Sequence, residues 1–129
     1  GIRSPCGRIR VSTPIVYGLS KCDTCRKARK WLDRAGIAHQ FVDYREHRIP
    51  PEALKAWAAQ LGGWDQLVNE AGTTWRALPA TRRMPESDPE WSLLLREHPA
   101  LVRRPVLYRD GQVTVGFSEK LYRGLFPDP

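Results

Sequence analysis

The sequence predicts an α/β domain with a mixed four-stranded sheet and a helical insertion between strands two and three. Three observations point there. Near the start, a β-branched run gives way across a short polar loop to apolar residues at helical spacing. In the last third, two short apolar runs flank Asp110-Gly111, a strong hairpin signal. Between these regions, roughly fifty residues keep their apolar positions to the helical period.

The elements follow in order. Ile15, Val16 and Tyr17 read as a strand broken by Gly18 and Ser20. Ala28, Trp31, Leu32 and Ala35 then stand at i, i+3, i+4 and i+7, and Gly36 supplies the left-handed residue that ends a helix. Residues 37–44 form a second strand, and a strand–helix–strand unit favours parallel pairing. Pro50-Pro51 marks the boundary of the insertion, expected over about residues 50–100. Leu54, Trp57, Ala58 and Leu61 repeat the helical spacing up to Gly62-Gly63. Trp64, Leu67 and Val68 make a shorter helical piece, residues 72–76 a capped turn, and residues 81–87 a polar loop. Asp88-Pro89 starts a further helix, with Asp88 as its cap and Trp91, Leu94 and Leu95 facing inward. After the hairpin, Ser118 caps a last helix with Leu121, Tyr122 and Leu125 as its buried stripe, ended by Pro127. With the insertion set aside, the order strand, helix, strand, strand, strand, helix is the layout of a thioredoxin-like domain.

Composition narrows the function classes. A chain of 129 residues, 41% hydrophobic and 27% charged, suits one soluble domain, expected over residues 14–129. No apolar run approaches the ~20 residues of a membrane span. The net charge of +7 includes three arginines within the first thirteen residues, a stretch with no acid. The remaining 18 basic and 14 acidic residues form no long basic run, so direct nucleic-acid binding is a weak inference, and an anionic small molecule fits equally well. Residues 1–13 read as a flexible leader, an expression remnant or an overcalled start, with Cys6 an unpaired thiol.

The chemistry concentrates in Cys22-Asp23-Thr24-Cys25. Cys22 falls at or just before the first turn of a helix, where unpaired N–H groups and the helix dipole favour an anion. Lys21 and Arg26 add positive charge, so Cys22 is expected to ionise more readily than an ordinary cysteine, at about 8.5. Cys25 lies one turn on, within reach of a disulfide with Cys22, and is expected to be the less exposed and less acidic of the pair. A buried structural pair and half of a zinc site are the alternatives. A zinc site wants four ligands, and Cys6, His39, His47 and His98 show no paired spacing. A C-x-x-C beside a strand–helix pattern fits a redox role in a reducing compartment, the cytoplasm.

Four segments carry a resemblance: residues 22–32, residues 72–76, residues 98–106 with Arg104-Pro105, and residues 116–119. From about Pro14 to Phe126 the chain resembles the arsenate reductase-like (ArsC) proteins, and within them the Spx/YffB-type branch. The resemblance implies a thioredoxin-like sheet and Cys22 as nucleophile. It also implies a cis Pro105 opposite that cysteine, exposing backbone to a thiol substrate. Arg104 would hold an oxyanion or carboxylate by bidentate hydrogen bonds. Arsenate reductases of the family use further arginines at places aligned with Asn69 and Gly116, which implies weakened arsenate binding here; Arg76 could substitute only by folding toward Cys22. They also lack a cysteine at position 25, where this chain could resolve a mixed disulfide. The expected function is a glutathione-dependent thiol/disulfide oxidoreductase, with catalytic Cys22, Cys25 and Arg104 and with Lys21, Arg26 and Pro105 contacting substrate. No cofactor or metal is expected to be bound, and glutathione enters as co-substrate. The alternative is a redox-sensing regulator of the Spx kind that binds RNA polymerase through its surface.

Overall fold

The computed structural model describes residues 13–126, so the expectations for the leader, Cys6 and Pro127 lie outside the described residues. The chain runs β1 (Ile15–Gly18), α1 (Asp23–Arg34), β2 (Gln40–Asp43), α2 (Pro51–Leu61), α3 (Trp64–Leu67), α4 (Thr73–Arg76), α5 (Asp88–Glu97), β3 (Val106–Arg109), β4 (Gln112–Val115) and α6 (Glu119–Leu125). The strands form one sheet in the order β2-β1-β3-β4. β1 pairs parallel with β2 and antiparallel with β3, and β3 pairs antiparallel with β4. This is the expected thioredoxin-like α/β architecture, with α2 to α5 inserted between the second and third strands.

Strand alternation divides the core between the two faces of the sheet. Val16 aligns with Phe41 on one side and Leu107 on the other. Val16 and Leu107 are buried with Ala28, Leu32 and Tyr122, so this face packs on α1 and α6. The neighbouring strand positions, Tyr17, Val106 and Val115, belong to the second cluster with Leu54, Trp57, Leu94 and Leu95 of the insertion. One sheet therefore carries two separate apolar layers, and the insertion supplies most of one.

Local chemistry explains the boundaries. Asp110 and Gly111 take φ of 50° and 80°, the left-handed pair that a tight hairpin requires. Gly36 ends α1 at φ 74°. Four details differ from the sequence reading. The cap of α5 is Ser87, whose side chain accepts from the Glu90 N–H; Asp88 is the first helical residue and accepts instead from the Trp64 indole at 2.8 Å. Ala35 is the exposed C-cap of α1, and the inner stripe of that helix is Cys25, Ala28 and Leu32. Leu121 is exposed, because on the short α6 the buried position is Tyr122. The expected polar loop over residues 81–87 begins inside a 3-10 turn, Ala80–Arg83.

Candidate active site

Cys22 is the N-cap of α1, in extended conformation with φ −85° and ψ 126°. Its N–H donates to the Leu19 carbonyl at 3.1 Å, and its own carbonyl accepts the first helical bond from Arg26. The loop before it is held from the end of β2. Asp43 Oδ2 accepts from the Ser20 N–H at 3.0 Å, and Oδ1 accepts from the Arg45 N–H at 2.9 Å. The first of these bonds leads the causes that hold the Asp43 carboxyl below its usual range.

The two cysteines occupy different environments, as their helical positions imply. Both thiols are free; Cys22 is half-buried and Cys25 has no exposed surface. Burial opposes ionisation of Cys22. The N–H and thiol of Cys25, the Arg104 guanidinium and the Thr24 N–H outweigh it, and the Cys22 pKa is lowered. Cys25 is pushed up to about 11, chiefly by burial and further by donating to Cys22; the Leu19 N–H opposes this. The pair is thus polarised into an outer thiol that ionises more readily than an ordinary cysteine and an inner thiol that keeps its proton.

Arg104 completes the arrangement from the opposite side. It precedes β3, and its peptide bond to Pro105 is cis, as the resemblance implied. Arg104 Nη1 donates to the Ala100 carbonyl at 2.9 Å and to the Tyr44 hydroxyl at 3.5 Å. Tyr44 is itself buried and donates to the Val102 carbonyl at 2.8 Å. Burial pushes the Tyr44 hydroxyl up to about 12, so it stays protonated and serves both partners. Two strand-like bonds bring the insertion to the same place: Asn69 N–H to the Leu101 carbonyl, and Arg103 N–H to the Leu67 carbonyl, each 2.8 Å, around the bridge between Val68 and Val102.

These elements enclose an open cavity of about 320 Å³ lined by Cys22, Thr24, Asn69, Arg103, Arg104, Val115 and Gly116. Cys22 and Arg104 therefore meet, as expected. Asn69 and Gly116, the positions where the resemblance pointed to missing arginines, stand in the wall. Pro105 is buried, and its carbonyl accepts from the Gly116 N–H at 2.8 Å. Lys21, Arg26 and Arg76 do not line the cavity; Lys21 is exposed, and Arg26 forms an ion pair with Asp23 on the outside of α1. Arg103 and Thr24 were missed by sequence reasoning, although Arg103 lies beside Arg104. Tyr44 closes the expected second strand, residues 37–44, and nothing local in the sequence signals the role of its hydroxyl.

The fold and this site define a thioredoxin-like domain with a cysteine of lowered pKa at the start of a helix. The chain belongs to the ArsC family, whose model matches residues 17–125. It is similar to an uncharacterized protein of Haemophilus influenzae, with 39% identity over 86% of this chain and 96% of that protein. It is also similar to the global transcriptional regulator Spx of Bacillus subtilis, with 29% identity over 87% of this chain and 86% of the relative. Among solved structures, a YffB protein superposes with a TM-score of 0.80, 37% identity, and coverage of 87% of this chain and 97% of that one. An arsenate reductase-related protein from Brucella melitensis gives a TM-score of 0.70 and 38% identity over 90% and 96%. No helix among the described residues is long and apolar enough to cross a membrane.

Proposed function

We propose that the protein is a glutathione-dependent thiol/disulfide oxidoreductase with Cys22 as nucleophile. The observation that carries this reading is the polarised pair at the cavity mouth: a thiolate-favouring Cys22 beside Arg104, backed by a protonated Cys25. In the reaction, the Cys22 thiolate attacks the glutathione sulfur of a mixed disulfide. A Cys22–glutathione bond forms as the old S–S bond breaks, and the substrate thiolate leaves and takes a proton from solvent. A second glutathione, as thiolate, attacks the glutathione sulfur of that adduct, giving glutathione disulfide and restoring the Cys22 thiolate. Alternatively, Cys25 loses its proton and attacks Cys22, releasing glutathione and leaving a Cys22–Cys25 disulfide for two further glutathiones to reduce. Either cycle suits a reducing compartment, the cytoplasm.

Arg103 and Arg104 give the cavity two guanidinium groups, which suit the carboxylates of glutathione. Arsenate fits less well, because Asn69 and Gly116 offer neutral surface where the oxyanion would need more charge. The test is glutathione-coupled turnover of a glutathione mixed disulfide and of arsenate, side by side, with Cys22→Ser as the blank. Disulfide turnover that needs Cys22, with arsenate inert, is expected. Comparable arsenate turnover, or disulfide turnover surviving in Cys22→Ser, overturns the reading.

The similarity to Spx supports a second reading, a redox-sensing regulator that contacts RNA polymerase through its surface. Capture experiments with reduced and oxidised protein separate the two: recovery of polymerase subunits in one state favours the regulator, and recovery in neither removes it.

A further inference from the structure

A second cavity, of about 310 Å³, opens on the insertion side of the sheet, and neither Cys22 nor Cys25 lines it. Its walls are apolar: Leu54 of α2, Leu95 of α5 and Pro99 stand around the ring of Tyr44. Tyr44 is fixed there because its hydroxyl is engaged with Val102 and Arg104. Pro50 and Pro51, whose ring-locked φ angles limit movement, form part of the rim, so the cavity is largely preformed. Arg48 and Arg96 flank it from opposite elements, both exposed, and neither forms an ion pair among the described residues. An apolar hollow of this size with a few convergent charged groups has the form of a small-molecule site.

We propose that this cleft binds a small amphipathic carboxylate, its apolar body against Tyr44, Leu54 and Leu95 and its carboxylate between Arg48 and Arg96. The charge follows from two guanidinium groups with no acidic partner, and planar guanidinium forks match carboxylate geometry. The size follows from the volume: at roughly 30 Å³ for each water-sized group, the cleft holds about ten non-hydrogen atoms. No acidic side chain lines the cleft, so a cationic ligand of the same shape has no counter-charge there. The cleft meets the Cys22 site only through Tyr44, and the proposal does not depend on the thiol reaction.

The test uses 4-phenylbutyrate and its uncharged twin 4-phenylbutan-1-ol, titrated into the full chain by calorimetry and followed by NMR shifts. The carboxylate is expected to bind about tenfold more tightly than the alcohol at low salt. Replacing both arginines (Arg48→Gln with Arg96→Gln) is expected to erase that difference while leaving alcohol binding in place. Ser92→Phe, which fills the cleft from α5, is expected to abolish both, with the melting temperature as control for folding. Equal affinity for acid and alcohol in the unaltered chain overturns the proposal. So does undiminished carboxylate binding in Ser92→Phe, provided its melting temperature is retained, or absence of saturable binding up to about 10 mM.

Discussion

The sulfur of Cys25 lies so close beneath Gly18 that a Cβ on the glycine would stand 2.4 Å from it. No real pair of atoms tolerates that distance, and Cys25 is fully buried with little room to swing aside. The glycine is required here by steric contact, since its backbone is ordinary strand. Gly18→Ala should therefore cost about 1–3 kcal/mol, the usual range for overpacking. Combining it with Cys25→Ala should recover part of that loss. Urea unfolding of the two single variants and the double variant measures this, and purely additive losses would contradict the contact.

The two thiols should titrate apart. Alkylation of Cys22 by iodoacetamide should show a midpoint below that of an unperturbed cysteine. Arg104→Gln should move that midpoint up by removing one of the groups that favour the thiolate. Cys25 should stay unreactive in the native protein until the pH nears 11.

The same shifts set the alkaline behaviour of the fold. Cys25 has a raised folded pKa, so its contribution to stability is full below the unfolded value and is lost as pH rises through about 11. Cys22 has a lowered folded pKa, so its contribution is present above the unfolded value and is lost as pH falls through the folded one. Removing Cys25 should flatten the fall in stability above about pH 8.5, where the unfolded chain begins to ionise. Chemical denaturation at a series of pH values measures it.

Tyr44→Phe keeps the ring and deletes the hydroxyl. The buried Val102 carbonyl loses its donor and Arg104 loses one of its anchors. A loss of about 1–3 kcal/mol is expected, together with a higher alkylation midpoint for Cys22. Denaturation and the pH profile read the two effects separately. A stability loss with an unmoved midpoint would mean that the Ala100 carbonyl alone holds Arg104.

Tyr122 should behave in the opposite way. Its hydroxyl is buried and has no hydrogen-bond partner among the described residues, while its ring meets Trp31 and Phe117 edge-on. Tyr122→Phe should be neutral or stabilising by up to about 1 kcal/mol, because it removes an unpaired polar group. Tyr122→Ala should cost about 3–5 kcal/mol through the cavity it leaves. Melting curves of the two variants check the contrast.

The fold was legible wherever local periodicity and turn chemistry agree. The parallel β1–β2 pair, the Asp110-Gly111 hairpin and the start of α1 at Cys22 each rest on neighbours in sequence. The site was legible only in part, because half of it depends on distant pairing. Arg103 enters the wall through its bond to Leu67, and Tyr44 reaches Arg104 across sixty positions of chain. Neither relation leaves a periodic trace. Lys21 and Arg26 show the converse: they are close to Cys22 in sequence, but Lys21 is exposed in the turn before α1 and Arg26 is exposed on the helix, and neither lines the cavity. The cap of α5 was misread because serine and aspartate adjoin there, and both are good capping residues.

The bridge between Val68 and Val102 has a consequence for how the site is assembled. β1, α1 and β2 are contiguous and can present Cys22 early in folding, but Asn69, Arg103 and Arg104 reach it only when a long loop has closed. Cys22 thus rests on local contacts, and the cavity around it on distant ones. Excising the insertion would take Asn69 from the wall beside Cys22 and lay bare the sheet face that α2 and α5 cover, so the same segment is a side of the pocket and the roof of the sheet.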